Sequence, residues 1–245
     1  MDDRVTCDIC RFDSRAYTAH DAERTLASIP IRWAWTSEGA TQEALTRSPA
    51  AGAPSAADHA ATALGATTVH EAVHHLQEAG RALHVAGAGT PTDRGRVVQI
   101  NTSGGGVPKL PVDRVAIGLR GLMGDRQKAR RHHGRVWQAV SLWSVEVIER
   151  LRSEGHPLAP GLAGENLTVA GIDWPRVRPG TRVAVGTVLL EVSSYCTPCT
   201  KNAQWFLRGD FNRMHHERES GVSRLYASVL VDGEVAVGDE VVVEP

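Results

Sequence analysis

The segment RLYASVLVDGEVAVGDEVVVEP, residues 224–245, decides the fold of the C-terminal part of this chain. Its apolar residues alternate with polar ones or run together in short blocks, as is typical of β-strands. Asp232 and Gly233 separate two of these blocks, and an Asp-Gly pair in that position predicts a hairpin turn. The same pattern recurs upstream in GRVVQIN (95–101), ENLTVAG (165–171) and TRVAVGTVLLEVSS (181–194). We therefore predict a mostly β, barrel-like domain with a few flanking helices.

The N-terminal part carries helical patterns instead. In TTVHEAVHHLQEAGRALH (67–84), Thr68 and Glu71 fit a capping box ahead of an apolar stripe. Thr18 is placed to cap another helix, over residues 17–30. AGAGTPTDRG (86–95) is typical of a linker. The sequence thus predicts an α+β chain, with a small helical domain over residues 1–90 and the β-rich domain over residues 91–245.

Composition excludes several classes of function. Lys and Arg number 27 against 28 Asp and Glu among 245 residues, so no net charge favours nucleic acid or a membrane surface. The charged N-terminus lacks a signal-peptide core, and no apolar run is long enough to span a bilayer. We expect a cytoplasmic protein. Stable disulfides are rare in that compartment, so Cys7/Cys10 and Cys196/Cys199 are redox, metal-binding or structural thiols.

The stretch SSYCTPCTKNAQWFLRG (193–209) holds the second of these cysteine pairs. Thr197 is a good N-cap and Pro198 a good first helical residue, which predicts that Cys199 lies in the first turn of a helix. The positive end of a helix and the nearby Lys201 favour a thiolate, so Cys199 is the candidate reactive thiol, with Cys196 as a resolving partner. The alternative is a pair of half-buried structural thiols.

Two glycine-punctuated segments offer anion-binding groups. GLMGDRQKARRHHG (121–134) crowds basic side chains around Asp125, and NTSGGGVPKLP (101–111) places Lys109 after three glycines. Backbone amides and cations in such loops can hold a phosphate, although solvated connectors have the same composition. AGENL (163–167) adds Glu165 and Asn166 just before a strand.

Histidines on the N-terminal helices form the remaining candidate site. His70 and His74 are four residues apart on one helix, a spacing that can chelate a metal, and His59 is a potential third nitrogen ligand. The alternative is a polar flank that packs on another part of the chain.

Taken in order, GLMGDRQ, HHGRVWQAVSLWS, GENLTV, YCTPC and the closing GDEVVV resemble MOSC domains, named for the C-terminal domain of molybdenum cofactor sulfurases. The resemblance covers residues 95–245 and implies a β-rich barrel that binds the pterin-based molybdenum cofactor, molybdopterin, or carries sulfur on a cysteine. The motif cysteine of the family falls on Cys199, which the resemblance implies to be the catalytic residue and the molybdenum ligand. The cofactor-binding residues that it implies are Lys109, Gly124, Asp125, Arg126, His133, Gly134, Glu165 and Asn166.

The stretch GDFNRMHHERESGVSRLYASVL (209–230) resembles the stand-alone bacterial members of the family, which lack a pyridoxal-phosphate lyase domain and include reductases. The first hypothesis is therefore an oxidoreductase that reduces N-hydroxylated small substrates with electrons from a donor protein. The second is a sulfur or cofactor carrier that uses a persulfide on Cys199. ADHAATAL (57–64) and residues 67–81 weakly resemble DinB-like helical bundles, which implies a divalent metal on His59, His70 and His74. The third hypothesis is a metal- and thiol-dependent stress protein that acts through this truncated bundle.

Overall fold

The computed structural model describes residues 6–7, 12–13, 23, 26–27, 29–30, 33–34, 37, 40–85, 93–126 and 136–244. The chain divides into two compact units, one formed by residues 1–91 with 244–245 and the other by residues 92–243. Helices dominate the first unit and a seven-stranded barrel the second, which confirms the predicted α+β class. Within the described residues, no helix is long and apolar enough to cross a membrane.

Unit 1 contains two short strands and three described helices. The strands form an antiparallel pair. The elements are β1 (Thr6–Cys7), β2 (Phe12–Asp13), α1 (Gln42–Thr46), α2 (Ala56–Gly65) and α3 (Val69–Val85). The predicted cap at Thr18 and the second thiol of the first pair, Cys10, lie outside the described residues.

The caps and core of unit 1 follow from its small residues. Ser55 and Asp58 form a reciprocal capping box at the start of α2, and the Thr68 hydroxyl accepts a hydrogen bond from the Glu71 amide at 3.2 Å, as predicted for α3. Ala63 and Leu76 are fully buried in the core between these helices. Alanine at such contacts lets two helix backbones approach closely, which compensates for the scarcity of large apolar side chains.

The described part of unit 2 contains eleven strands and one α-helix. The strands are β3 (Asp93–Thr102), β4 (Leu110–Val112), β5 (Arg114–Gly118), β6 (Gly121–Leu122), β7 (Val140–Ser144), β8 (Leu167–Ala170), β9 (Arg182–Val185), β10 (Val188–Tyr195), β11 (Leu225–Val231), β12 (Gly233–Ala236) and β13 (Glu240–Glu244). The helix is α4 (Val145–Ser153), and the 3₁₀ helices span Val136–Gln138, Trp174–Arg176, Thr200–Trp205, Leu207–Gly209 and Phe211–Met214.

Seven of these strands close into a barrel. Their order is β13, β9, β10, β11, β7, β8 and β3, and β3 pairs again with β13. The first half of β3 makes that closing pair, while its last three residues pair with β4. Ile100, Leu142 and Leu190 are fully buried, in agreement with the apolar runs of these strands. Burying one such side chain stabilises the fold by about 1.5–3 kcal/mol.

The predicted hairpin at Asp232 and Gly233 is wrong. β11 pairs with β10 and β7, whereas β12 pairs with β5 in a separate three-stranded sheet. The reason lies in the backbone of Glu234, whose amide donates to the Thr187 hydroxyl at 2.9 Å and draws the chain away from β11. A Cβ on Gly233 would lie 2.2 Å from that hydroxyl, so glycine here permits a close approach rather than a turn.

α4 connects the parallel strands β7 and β8. Ser144 ends β7 and caps α4 by accepting from the Val147 amide at 3.2 Å. Gly155 follows the helix with φ of 94°, the left-handed conformation that terminates many helices. Serine before the first turn and glycine after the last are the usual sequence signals of helix ends, and the crossover brings the start of β8 beside β7.

Two buried tryptophans fix the chain just before β11. The indole N–H of Trp143 donates to the Val222 carbonyl at 3.0 Å, and that of Trp174 donates to the Ser223 carbonyl at 2.9 Å. The Cys196 amide donates to the Arg224 carbonyl at 2.9 Å. These bonds hold Arg224 next to the end of β10, where the cysteine pair begins.

Candidate functional site

Cys199 lies in the short connection after β10. The predicted α-helix is replaced by a 3₁₀ helix, Thr200–Trp205, for which Cys199 is the N-cap residue. Cys199 therefore precedes the helix instead of lying in its first turn, and the Cys199 carbonyl accepts from the Asn202 amide at 3.0 Å. The thiol is partly exposed.

Cys196 is a different kind of thiol. It is 1% exposed and hydrogen-bonds to Tyr226. Burial raises the pKa of Cys196 to about 12, so the group stays protonated at neutral pH. Cys196 does not line the cleft into which Cys199 faces. Of the two thiols, only Cys199 is available to a ligand.

The wall of an open cleft in unit 2 includes Cys199. The cleft is open to solvent, and its cavity volume is about 100 Å³. Four cations line it, and no carboxylate does so among the described residues. A surplus of positive charge in a partly enclosed cleft attracts anions. The four cations are Lys109, Arg126, Lys201 and Arg224.

Asp125 positions one of these cations. Its carboxylate accepts from the Lys109 ammonium at 2.5 Å, from the Ser103 amide at 2.8 Å and from the Asn166 carboxamide at 2.9 Å. The side chains of Lys109 and Asp125 are only 11% and 5% exposed. Burial lowers the pKa of Lys109, and the charge of Asp125 offsets part of this effect. Asp125 thus supports the cleft from behind and does not line it.

Asn166 and Glu165, both predicted to bind the cofactor, are used mainly inside the protein. The Asn166 side chain donates to Asp125 and accepts from the amide and hydroxyl of Ser141 at 3.1 and 3.0 Å. The Glu165 carboxylate accepts from the Gly161 amide at 2.6 Å and from the Thr168 hydroxyl at 3.1 Å. Asn166 reaches the cleft wall, but Glu165 does not. Both residues order the loop that forms one side of the cleft.

Arg224 was not predicted, although it lies at the centre of the site. It is 7% exposed and lines the cleft, and its Nε has no hydrogen-bond partner among the described residues. Burial alone would lower the pKa of Arg224, but the nearby Cys196, Tyr226 and Glu165 outweigh it and raise that pKa. Arg224 is therefore a permanent positive charge, and it interacts electrostatically with Cys199.

The remaining predicted residues of unit 2 fall into two groups. Arg126 lines the cleft, and Gly124, with φ of 82°, forms the turn that leads into Asp125. His133 and Gly134 lie outside the described residues. The structure thus brings Lys109, Arg126, Asn166 and Cys199 together at one cleft.

Four histidines come together separately, in unit 1. The ring nitrogens Nδ1 of His59 and His75 are 3.0 Å apart, and the rings of His70 and His74 stack with centroids 6.3 Å apart. His75, which was not predicted, is the partner of His59. Among the described residues, no group of three or more His, Cys, Asp or Glu side chains is arranged to hold a metal ion. Metal binding by His59, His70 and His74 stays a prediction.

A sequence signal for the missed residues does exist. Arg224 directly precedes β11 and Tyr226 is the second residue of that strand, and alternate residues of extended chain face the same side. A charged and a phenolic side chain on one face of an otherwise apolar strand mark a polar cleft. Asn202 and Gln138, which also line the cleft, carry no comparable signal.

Comparison with known proteins agrees with this architecture. Residues 129–242 match the family model of the MOSC domain, so this part of the chain is similar to MOSC domains. The matched family model does not cover the N-terminal residues that resemble DinB-like bundles. No curated protein sequence matches the chain.

Solved structures resemble this fold at low sequence identity. A hypothetical protein is 24% identical with a TM-score of 0.50, covering 61% of this chain and 67% of its own. YiiM from Geobacillus stearothermophilus is 24% identical with a TM-score of 0.49, covering 61% and 74%. YuaD from Bacillus subtilis is 17% identical with a TM-score of 0.48, covering 62% and 96%. At this identity the first likeness shows a shared fold only.

Proposed function

We propose that the cleft of unit 2 binds the molybdenum cofactor with Cys199 as the thiolate ligand of the metal, and that the protein reduces N-hydroxylated small substrates. The observation that carries this proposal is one accessible thiol in a cleft lined by four cations and no described carboxylate. A thiolate suits a soft transition metal, and the cations suit the phosphate of the cofactor.

The residues present fit such a group. The cleft opens to solvent, so a ligand larger than its enclosed part can extend outward, and the buried Nε of Arg224 lacks a partner among the described residues. An unpaired buried guanidinium nitrogen is costly unless a ligand occupies it. When bound, the cofactor would supply a metal centre that accepts and donates two electrons. Arg224, Lys109 and Arg126 would hold its phosphate, and Cys199 would anchor the metal.

The proposed reaction defines what the chain itself must do. Reducing R–NHOH to R–NH₂ and water consumes two electrons and two protons. Burial raises the pKa of Tyr226, which lines the cleft, so its hydroxyl stays protonated and neutral there. The electrons must come from outside the chain, and we propose a donor protein as the partner.

Elemental analysis tests the proposal directly. The wild type, Cys199→Ser and Cys196→Ser would be expressed in a host that makes molybdenum cofactor. We expect near-stoichiometric molybdenum in the wild type and in Cys196→Ser, whose thiol lies outside the cleft, and none in Cys199→Ser. Molybdenum absent from all three, or retained in Cys199→Ser, would refute the assignment.

Two further measurements separate the alternatives. A persulfide on Cys199, detected by mass spectrometry without molybdenum, would favour the sulfur or cofactor carrier. A divalent metal that is lost in His59→Gln would favour the stress-protein hypothesis. If molybdenum is present, reduction of an N-hydroxylated base by the loaded protein with a chemical reductant tests the activity.

A further inference from the structure

Asn202 carries unused hydrogen-bonding groups in the wall of the cleft. Its side chain is 1% exposed, and neither the Nδ2 donor nor the Oδ1 acceptor has a partner among the described residues. Two other buried asparagines of the same unit are fully used. Asn101 bonds to Gln99 and Thr168, and Asn166 to Ser141 and Asp125. Burying an amide without partners destabilises the fold, so the unpaired carboxamide of Asn202 points to a role in binding and not in folding.

The 3₁₀ helix places this carboxamide beside the reactive thiol. Cys199 is the N-cap of this 3₁₀ helix, and Asn202 lies in its first turn. Asn202 follows Cys199 by three residues, and its amide donates to the Cys199 carbonyl at 3.0 Å, which fixes this relation. Both residues line the cleft. A ligand that reaches the Cys199 sulfur therefore lies within reach of the Asn202 carboxamide.

A second carboxamide supports the same conclusion. Gln138 lines the cleft, and its buried Oε1 also lacks a partner among the described residues. The cleft thus offers one unpaired donor and two unpaired acceptors of the amide type, in addition to its cations. Cations alone would suit any anion, whereas these groups suit a ligand with its own donor and acceptor atoms.

We propose that the carboxamide of Asn202, assisted by that of Gln138, reads the donor–acceptor edge of a planar amide or amidine group bound beside Cys199. A primary carboxamide pairs in two-pronged fashion with an adjacent ring nitrogen and amino group, as asparagine and glutamine do with adenine. The pterin ring of the cofactor and an N-hydroxylated amidine substrate both present such an edge. The inference rests on the proposed function for the choice of these two ligands.

The test uses the full chain and four variants. Asn202→Asp keeps the shape but removes the donor, and Asn202→Leu removes both groups. Asn212→Asp is the matched control, because Asn212 is exposed on another 3₁₀ helix. Asn166→Leu is the control for a structural asparagine. Calorimetry would measure pterin-6-carboxylate binding to protein from a host that lacks the cofactor, and benzamidoxime binding to protein from a host that makes it.

We expect Asn202→Asp and Asn202→Leu to weaken one of the two probes by about tenfold or more, as for an amide partner left unpaired, while Asn212→Asp does not. Weaker pterin binding identifies the cofactor as the ligand, and weaker benzamidoxime binding identifies the substrate. The melting temperature of ligand-free Asn202→Leu should equal or exceed that of the wild type, whereas Asn166→Leu should melt lower.

Two results would overturn the inference. One is unchanged binding of both probes in both Asn202 variants, and the other is a loss of thermal stability in Asn202→Leu as large as that in Asn166→Leu. The molybdenum content of the protein shows whether the role of Asn202 or the proposed function has failed. If molybdenum content depends on Cys199 but the Asn202 variants bind both probes normally, only the role proposed for Asn202 is rejected. Pterin binding that depends on Asn202 in a chain that never holds molybdenum rejects only the cofactor enzyme.

Discussion

Asp125→Asn is expected to destabilise unit 2 far more than its conservative size suggests. The substitution keeps the shape but leaves the Lys109 ammonium, 11% exposed, without its counter-ion at 2.5 Å. In the wild type the Asn166 carboxamide donates to Asp125 at 2.9 Å, and the substitution can place an N–H donor opposite that donor. Removing one partner of a buried ion pair costs about 3–5 kcal/mol, which is a large part of the about 5–15 kcal/mol that stabilises a typical domain.

The loss of stability in Asp125→Asn should depend on pH in a defined direction. Burial already lowers the pKa of Lys109 below 10.5, and removal of Asp125 lowers it further. A cation whose pKa is lower in the folded state destabilises that state at neutral pH, and the penalty disappears as the pH rises towards 10.5. The defect of Asp125→Asn should therefore be largest near neutral pH and shrink in alkali.

Urea unfolding of the full chain, followed by hydrogen exchange in peptides from β10 and β11, measures the stability of unit 2. Asp125→Asn combined with Lys109→Met should recover about 2 kcal/mol or more relative to the sum of the single changes. Glu240→Gln is the control, because Glu240 pairs with Arg94 at 2.7 Å with both side chains about 60% exposed, and it should cost less than about 1 kcal/mol. A loss for Asp125→Asn no larger than that of the control, or strict additivity with Lys109→Met, would refute the reasoning.

Changes at three single positions should each alter stability in a defined way. The pKa of Cys196 is raised from 9.0 to about 12 in the folded protein, so the contribution of this thiol to the free energy of unfolding is complete below pH 9.0 and falls above it. Cys196→Ala should make that decline less steep. Gly161→Ala, at φ of 83° with its Cβ 2.6 Å from the Lys109 carbonyl, should cost about 2 kcal/mol or more in urea unfolding, whereas Gly104→Ala, where a Cβ meets open space, should cost less than about 0.5 kcal/mol. Burial lowers the pKa of His59 below 6.5, so unit 1 should lose helical circular dichroism as the pH falls through that value, and His59→Gln should remove part of this dependence.

Local patterns predict the elements of this chain better than they predict partners. The cap at Ser144 and the strand at residues 225–231 depend on neighbouring residues, so they can be read directly from the sequence. The course of the chain after Asp232 depends on Thr187, more than forty residues away, and an Asp-Gly pair carries no information about that contact. The same limit explains why the strands, but not their sheet order, could be predicted.

The candidate site shows a similar division. Cys199 and Lys109 could be found because a thiol after a strand and a cation in a glycine-rich loop are conspicuous. The role of Asp125 could not be predicted, because only the folded chain shows that its carboxylate faces Lys109 and Asn166 instead of the cleft. The 3₁₀ form of residues 200–205 was missed as well, since Thr197 and Pro198 carry the usual signals of an α-helix start.

The pairing of β3 with β13 brings the two ends of unit 2 together. Val243 lies directly opposite Asp93, and neighbouring strands are about 4.8 Å apart, so the chain enters and leaves the barrel at nearly the same point. Domains with adjacent ends tolerate insertion into other proteins and circular permutation. A chain in which a short linker joins Glu244 to Asp93, with new ends opened in an exposed loop, would keep all seven barrel strands and the cleft that they support.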